Sequence, residues 1–318
     1  MDTLYTDLKM FGKVKANEPL SKHTTFQIGG PARFFVTVEE NEKLAGVLNY
    51  LNDNGLDYFV IGGGSNLLIS DGEYDGVVVK IVSQAKPTVV AGENGSLVSA
   101  EAGVSLGALV NLASKEGLSG LEWAIGIPGT IGGAVRGNAG AMGRDISYSV
   151  NEVRIWRDGE TVKLNAQECG FGYRESSFKF NKDVILSVSL LLKPGDKAEI
   201  LATIQNNLKH RVGRMSTHPS AGSFFKNLKL NQWKGDVGEL PELFRQRGSV
   251  PAGWLIEQVN GKGQISGGAK VSDEHGNFIV NFDNAKQEDV LKLVEEVKER
   301  VYNKFKIELE PEVQILNY

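Results

Sequence analysis

The residues best suited to chemistry in this sequence are glycines set among small apolar residues. From Ala124 to Gly143 the chain reads AIGIPGTIGGAVRGNAGAMG, which contains seven glycines. Backbone without side chains approaches a flat or charged ligand closely, and successive N–H groups form concave anion sites. Flexible linkers are rich in glycine and serine, whereas this stretch carries isoleucine, valine and proline between its glycines. The pattern is that of neither a helix nor a strand, and it favours a packed loop that holds a cofactor ring over a linker.

The first glycine cluster in chain order, Gly62-Gly63-Gly64-Ser65-Asn66, follows a predicted strand at 58–61, and the stretch 124–143 is the second cluster. It does not fit a Rossmann dinucleotide turn, because Leu67 stands in place of the third glycine and no acidic residue lies about twenty positions on. Glycines at 72 and 76 also interrupt the expected helix. A glycine triplet at the end of a buried strand is nevertheless a good phosphate cradle. The cluster therefore favours pyrophosphate binding over a plain hairpin turn.

Composition narrows the class of partner. The chain has 318 residues, of which 41% are hydrophobic and 23% charged, and its net charge is -4. These values indicate an ordinary folded protein without the positive electrostatic field that would attract nucleic acid or anionic membranes. The N-terminus lacks a signal-peptide pattern and no later run matches a membrane span, so we expect a cytoplasmic protein with no membrane insertion. The lone Cys169 excludes an internal disulfide and favours a structural thiol, and four scattered histidines predict no metal site.

The elements that must position the glycines form three successive regions. The first has a strand within 23–38, a helix over 39–55 with Leu44, Val47, Leu48 and Leu51 on one face, and strands at 58–61 and 76–82. The second has strands at 88–90, 96–102, 152–156 and 184–192 and a helix from Ser105, its predicted cap, to Gly117. The third has helices at 197–210, 240–247, 251–259 and 287–304 and strands at 264–271, 278–281 and 307–316.

Eight separated stretches resemble, in family order, the UDP-N-acetylenolpyruvoylglucosamine reductases, also called UDP-N-acetylmuramate dehydrogenases, over essentially the whole chain. They are HTTFQIGGPA (23–32), GGGSNLL (62–68), GIPGTIGGA (126–134), NAGAMG (138–143), GYRESSFK (172–179), PSAGSFFKN (219–227), GWLIEQ (253–258) and LEPEV (309–313). The short interval from 179 to 219 resembles the family's second type, which lacks the loop that lays a tyrosine over the substrate. Leu228, in place of the usual proline, and Arg136-Gly137, in place of a bulky pair, depart from the pattern, so we expect altered loop geometry there without lost function.

The resemblance implies an α+β protein: an FAD-binding fold of the vanillyl-alcohol-oxidase (PCMH) type in two subdomains, followed by an α+β substrate domain. The implied domains are 1–84 for FAD-binding subdomain 1, 85–205 joined by 306–318 for subdomain 2, and 206–305 for substrate binding. FAD is expected to be held non-covalently, with its pyrophosphate on the first cluster and its ring over the second. The implied cofactor-binding residues are Ile61, Gly62, Gly63, Gly64, Ser65, Asn66, Gly126, Pro128, Gly129, Gly132, Gly133, Asn138, Gly140 and Ala141.

The family's reaction reduces the enolpyruvyl ether of UDP-N-acetylglucosamine enolpyruvate to the lactyl ether of UDP-N-acetylmuramate, a step toward peptidoglycan, with NADPH as hydride source. Its catalytic positions carry over to Arg174, Ser223 and Glu312. Hydride from reduced flavin adds to the methylene carbon and leaves negative charge on the neighbouring carbon and its carboxylate. Arg174 offers donors to that carboxylate, a protonated Glu312 can donate a further hydrogen bond, and Ser223 can give the carbon a proton. Without the resemblance, the same residues would be read as an ion pair, a solvated strand residue and a cap.

The implied contacts to the nucleotide sugar are less specific, because solvated basic surface explains several of them equally well. They are Tyr173, Arg211, Arg214, Asn227, Lys262 and Gly268. Two other functions compete: a flavin oxidase of small hydroxy acids or alcohols on the same fold, and a non-enzymatic flavin- or sugar-nucleotide-binding module. Ser223 and Glu312 argue against the oxidase, because an oxidase removes hydride and needs no proton donor for a carbanion. A binding module would not require Arg174, Ser223 and Glu312 to come together. We expect a monomer or weak dimer.

Overall fold

The structure, a computed structural model, describes residues 3–212 and 216–318. Within them the α-helices are α1 (Thr3–Leu8), α2 (Asn41–Asp53), α3 (Leu106–Glu116), α4 (Ile131–Arg136), α5 (Lys197–Val212), α6 (Glu242–Arg247), α7 (Ala252–Gln258) and α8 (Gln287–Phe305). The strands are β1 (Lys13–Pro19), β2 (Pro31–Val38), β3 (Tyr58–Ile61), β4 (Leu67–Ile69), β5 (Tyr74–Ile81), β6 (Thr88–Gly92), β7 (Gly95–Glu101), β8 (Leu118–Ser119), β9 (Gly140–Ala141), β10 (Arg144–Asp145), β11 (Val150–Arg157), β12 (Glu160–Asn165), β13 (Val184–Pro194), β14 (Ser220–Ser223), β15 (Leu228–Lys229), β16 (Ser249–Val250), β17 (Ile265–Ser266), β18 (Ala269–Val271), β19 (Phe278–Asn281) and β20 (Gln314–Leu316).

Two compact units share the chain, and each is built from separated segments. Unit 1 contains the described residues of Met1–Glu18, Ala32–Gly63 and Tyr74–Gly213, and unit 2 those of Pro19–Pro31, Gly64–Glu73 and Arg214–Tyr318. The segment 306–318, which the sequence joined to subdomain 2, lies in unit 2. The division into two FAD-binding subdomains and a substrate domain stays a prediction.

The first sheet of unit 1 has the strand order β1-β2-β5-β3, in which β2, β5 and β3 are parallel. Helix α2 buries the four apolar residues predicted for its inner face, and its core includes the valines of β2 and β5. β3 ends at Ile61, as predicted. The short strand β4, and not a helix, follows the glycine triplet, which agrees with the rejection of a Rossmann turn.

The second sheet of unit 1 is antiparallel, with the order β12-β11-β13-β7-β6, and β8 pairs with the end of β13. Helix α3 buries Leu106, Leu109 and Val110 as predicted, and Gly117 ends it in the left-handed conformation at φ 68°. Ser105 occupies the N-cap position, but its side chain makes no capping hydrogen bond, so that predicted interaction was wrong. The sheet and α3 surround the largest apolar cluster of unit 1.

Unit 2 is built on a four-stranded antiparallel sheet with the order β14-β19-β18-β17. Helix α8 supplies its predicted apolar face, including Val290, Leu293 and Val297, to the core of this unit. The predicted strand at 264–271 is a hairpin, because Gly267 with φ 52° turns the chain between β17 and β18. Of the predicted strand 307–316 only β20 forms, and it pairs in parallel with β4. Among the described residues, no helix combines the length and hydropathy needed to cross a membrane.

Candidate active site

The two glycine clusters approach each other within unit 1. A Cβ atom built on Gly63 would lie 2.5 Å from Cα of Gly129, and one built on Gly62 would lie 2.6 Å from Oγ1 of Thr130. Side chains are thus excluded from the points where the two backbones meet. Gly62 and Gly63 directly follow the buried Ile61. The predicted phosphate cradle therefore lies beside the predicted ring-binding stretch.

The stretch from 124 to 143 is a packed segment, as predicted, but the expectation that it lacks regular structure was wrong. Residues Ile131–Arg136 form α4, because the Thr130 side chain accepts a hydrogen bond from the Gly133 N–H and caps the helix. A Cβ on Gly132 would lie 2.8 Å from Cβ of Ala102, so the helix packs closely against the end of β7. The glycines of this stretch therefore allow the helix to pack closely against its neighbours, in addition to leaving backbone accessible to a ligand.

Buried polar atoms beside the glycines test whether ligands fit at each place. In the part of the chain that the structure describes, Nε of Arg211 in unit 1 and Oγ1 of Thr25 in unit 2 are buried without a hydrogen-bond partner. Cδ of Arg211 lies 2.9 Å from the Cβ position of Gly126, and burial lowers the pKa of its guanidinium. The Thr25 N–H donates to the Gly64 carbonyl at 3.1 Å. Because buried polar atoms normally have partners, the Arg211 position fits an anionic ligand group and, separately, the Thr25 position fits a polar one.

Arg174 lies in a tight turn of unit 1. Gly172 and Glu175 exchange backbone hydrogen bonds across the turn, and Arg174 has φ 58°, a conformation rare for residues other than glycine. Its Nη2 donates to the Gly140 carbonyl at 2.6 Å, and its guanidinium lies 5.3 Å from the ring of Tyr173. Backbone strain of this kind concentrates at functional sites. The predicted catalytic arginine thus contacts a predicted cofactor-binding residue, Gly140.

The glycine stretch also supports the turn that carries Arg174. The Asn138 amide donates to the Gly172 carbonyl at 2.7 Å, and its oxygen accepts from the Ser147 N–H at 3.2 Å. Arg136, one of the two departures from the family pattern, donates to the Phe178 carbonyl, and its own carbonyl accepts from the Ser176 hydroxyl at 2.6 Å. Burial lowers the pKa of Arg136. This departure therefore ties the two segments together.

Ser223 ends β14 at an irregularity in unit 2. The pairing of β14 with β19 shifts register between Ser220 and Ser223, and Gly222 has φ 77°. Bulges of this kind redirect a side chain and are frequent beside active sites. The next residue, Phe224, is fixed on both sides, because its N–H donates to the Asn277 carbonyl at 2.8 Å and its carbonyl accepts from the Glu312 N–H at 2.7 Å.

The structure therefore places Glu312, a predicted catalytic residue, next to the segment that carries Ser223. The Asn66 amide donates to the Glu312 carbonyl at 3.1 Å, so the end of the first glycine cluster contacts the same residue. Phe225 and Pro311 form an isolated antiparallel bridge beside them. Three segments far apart in sequence thus meet in unit 2, whereas Arg174 belongs to unit 1.

The residues predicted to contact the substrate differ in the partners that their polar groups have in the structure. Asn227 accepts from the Ala252 N–H at 3.1 Å, and the Gly268 N–H donates to Asp289 at 3.2 Å. Lys262 is ion-paired with Glu257 at 2.9 Å. Arg214 lies outside the described residues. Leu228, the other departure, begins β15, which pairs with β16.

Sequence reasoning missed residues that support the glycines. Lys80, in register with Ile61 on the neighbouring strand, donates from Nζ to the Gly62 carbonyl. Thr25 and Thr130 were also missed as individual residues, although both lie within stretches that resemble the family, whereas Lys80 lies in none of them. The prediction for Cys169 was confirmed, since the thiol is buried, donates to the Asn165 carbonyl at 3.2 Å and has a pKa raised by burial to about 11.

Comparisons with known proteins cover nearly the whole chain. Residues 32–165 match the family model of an FAD binding domain, and residues 214–316 match the C-terminal domain of UDP-N-acetylenolpyruvoylglucosamine reductase. The chain is similar to the reductases of that name from Carboxydothermus hydrogenoformans (41% identity, 95% of this chain and 94% of the relative) and Anoxybacillus flavithermus (39%, 96% and 95%). The solved UDP-N-acetylenolpyruvylglucosamine reductase from Thermus caldophilus has a TM-score of 0.74 at 33% identity and covers 96% of this chain and 98% of its own.

The mixture of helices and strands and the match to an FAD binding domain confirm the predicted α+β class and the FAD-binding fold. The matches extend over both units and include the segments that carry the two glycine clusters, Arg174, Ser223 and Glu312. The chain therefore belongs to the UDP-N-acetylenolpyruvoylglucosamine reductase family and is an FAD-dependent oxidoreductase.

Proposed function

We propose that this protein uses NADPH to reduce the enolpyruvyl ether of UDP-N-acetylglucosamine enolpyruvate to the lactyl ether of UDP-N-acetylmuramate, in the synthesis of peptidoglycan precursors in the cytoplasm. The observation that carries the proposal is the 41% identity to a reductase of this name over 95% of the chain. The contact between the Ser223 segment and Glu312 supports it, because the reaction needs a proton donor and a group that holds developing charge.

FAD, when bound, supplies the chemistry of accepting hydride from NADPH and passing it to the methylene carbon of the substrate. In this proposal the residues holding its diphosphate are Gly62, Gly63, Gly64, Ser65 and Asn66. The stretch from Gly126 to Ala141 supplies small, close-packed backbone for the ring. The close approach of Gly63 to the Gly129 backbone and of Gly62 to the Thr130 side chain supports the assignment.

The chain's own groups handle the charge and the proton. The Arg174 guanidinium presents planar donors that match a carboxylate, and its bond to Gly140 fixes its direction. A protonated Glu312 donates a hydrogen bond to the negative charge that develops on the substrate, and the Ser223 hydroxyl gives a proton to the carbon beside the carboxylate. Tyr173, Arg211, Arg214, Asn227, Lys262 and Gly268 are proposed to contact the nucleotide sugar.

The proposal is tested with purified protein, NADPH and the enolpyruvyl sugar nucleotide. We expect a yellow protein from which denaturation releases FAD, and loss of the nicotinamide absorbance only when the sugar nucleotide is present. UDP-N-acetylglucosamine, which lacks the enolpyruvyl group, is the matched control. Consumption of NADPH with the control, or with oxygen alone at the same rate, would refute the assigned substrate.

A further inference from the structure

A partly buried lysine donates a hydrogen bond to the first glycine cluster. Lys80 is the residue of β5 that pairs with Ile61, the last residue of β3, and its Nζ donates to the carbonyl of Gly62. The carboxyl ends of parallel strands are the usual place for ligands in sheets of this kind. The lysine therefore reaches the first peptide within the glycine triplet, the one between Gly62 and Gly63.

The hydrogen bond from Lys80 fixes the orientation of the whole Gly62–Gly63 peptide, including its N–H. Because a trans peptide is planar, its C=O and N–H point in opposite directions. When Lys80 holds the Gly62 carbonyl on its own side, the N–H of Gly63 must point to the other side. Packing of Gly63 against Gly129 and of Gly62 against Thr130 leaves this peptide little room to rotate.

The charge of Lys80 is not balanced by a carboxylate. Within residues 3–212 and 216–318, burial alone shifts the pKa of Lys80, and it lowers it, with no contribution from an acidic neighbour. A partly buried ammonium without a counter-ion loses hydration that carbonyl oxygens offset only in part. An anion bound by the adjacent glycines would supply the missing negative charge.

We propose that Lys80 is a positioning residue for the cofactor diphosphate: it orients the Gly62–Gly63 peptide so that the Gly63 N–H is available to the anion, and its ammonium adds positive charge behind the loop. The inference rests on the proposed placement of the diphosphate at Gly62–Asn66. It predicts that Lys80 contributes to affinity for FAD but not to the stability of the protein without FAD.

The test compares the full-length parent with Lys80→Met, which keeps the length of the side chain but removes the donor and the charge. FAD is removed, and the affinities for FAD and for riboflavin, which has no diphosphate, are measured by flavin fluorescence. We expect Lys80→Met to weaken FAD binding by about tenfold to about a hundredfold, the range for a hydrogen bond that involves a charged group. Riboflavin affinity and the melting temperature without FAD should not fall, because the substitution removes a partly buried charge that has no carboxylate partner. Lys193→Met, at an exposed lysine of β13, is the matched control and should bind FAD like the parent.

Equal FAD affinity of Lys80→Met and the parent would overturn the inference. A lower melting temperature with equal losses for both flavins would also overturn it, because that result makes Lys80 a purely structural residue. If Lys80→Met does not fold, the expected independence from stability is wrong, and Lys80→Gln, which keeps a donor without the charge, must weaken FAD binding for the role of the ammonium charge to stand. Failure of the parent itself to bind FAD or to reduce the sugar nucleotide would instead refute the proposed function.

Discussion

At the scale of single residues, Ser223 has a role that differs from that of the groups holding charge. If its hydroxyl donates the proton, Ser223→Ala should still bind FAD and still be reduced by NADPH, because neither step uses that proton. Reoxidation of the flavin by the sugar nucleotide should fall at least about a hundredfold to a thousandfold, the range for loss of a positioned acid. Stopped-flow absorbance of the flavin measures this step alone.

A half-buried serine of the same unit provides the control for this substitution. Ser249 lies in β16, and Ser249→Ala should reoxidise at the parent rate. If Ser223→Ala also reoxidises at the parent rate with an unchanged flavin spectrum, Ser223 is not the donor, and Glu312 becomes the first candidate. If Ser223 only caps a turn, Ser223→Ala should cost about 1 kcal/mol of stability and leave the reoxidation rate nearly unchanged.

Arg174 combines an unusual backbone conformation with a charged side chain, and one substitution separates the two. Asparagine tolerates positive φ better than most residues, so Arg174→Asn should keep the turn and change the free energy of unfolding by less than about 1 kcal/mol. Loss of the charged donors should lower kcat/KM for the sugar nucleotide by about tenfold to a hundredfold. Reduction of the flavin by NADPH should remain at the parent rate.

Lys306, a basic residue with φ 56° at the end of α8, is the matched control for backbone conformation. Lys306→Asn should leave both half-reactions unchanged. Urea unfolding and stopped-flow absorbance check the two properties separately. A loss of stability in Arg174→Asn that is as large as its loss of activity would argue that the guanidinium mainly holds the turn together.

The residues that sequence alone could and could not predict differ in a physical way. The glycine clusters were identifiable because a run of residues without side chains is itself the functional feature. Lys80 was not, since its role depends on the pairing of β5 with β3 and on the parallel register of Lys80 with Ile61. Nothing local in a sequence distinguishes a lysine that points behind a loop from one that points into water.

At the scale of secondary structure, long periodic segments were predicted well and short ones poorly. The helix predicted at 287–304 is α8, and its inner face is as expected, because four or more turns repeat the same apolar spacing. Helix α4 has six residues and three of its first four positions are isoleucine or glycine, so no spacing could reveal it. Its formation depends on the Thr130 cap and on packing against β7.

The close approach of the two glycine clusters predicts the effect of a single methyl group. In Gly63→Ala the new Cβ would meet the backbone of Gly129, which cannot rotate away, so the two segments must separate. We expect a loss of about 1–3 kcal/mol of stability, typical of overpacking, together with weaker FAD binding. Thermal unfolding without FAD and fluorescence titration with FAD measure the two effects.

Gly107→Ala is the matched control, because Gly107 lies inside α3 and the nearest atom to its Cβ position is 3.7 Å away. Alanine should stabilise that helix by about 0.5–1 kcal/mol without changing FAD affinity. Should Gly63→Ala bind FAD like the parent, the close approach of the backbones would not be needed for the cofactor.

At the scale of the whole molecule, the boundaries of unit 2 cannot be read from a continuous stretch of sequence. The match to the C-terminal family model spans residues 214–316, but the core of unit 2 also contains Phe26, Ile28 and Leu68. All three are almost completely buried. Strand β20 moreover pairs with β4, which lies in the segment Gly64–Glu73. Two short segments from the first quarter of the chain are thus structural parts of the C-terminal unit.

We therefore expect a fragment of residues 216–318 to fold poorly by itself. Each missing apolar side chain removes about 1.5–3 kcal/mol of burial, and the three together are comparable with the total stability of a typical domain, about 5–15 kcal/mol. The fragment should bind a hydrophobic dye and melt without a sharp transition, as measured by fluorescence and circular dichroism. A fusion that restores 19–31 and 64–73 through flexible linkers should recover cooperative melting, since it returns both the apolar side chains and the partner strand of β20. Cooperative melting of the bare fragment at the temperature of the full chain would show that the core of unit 2 does not depend on these segments.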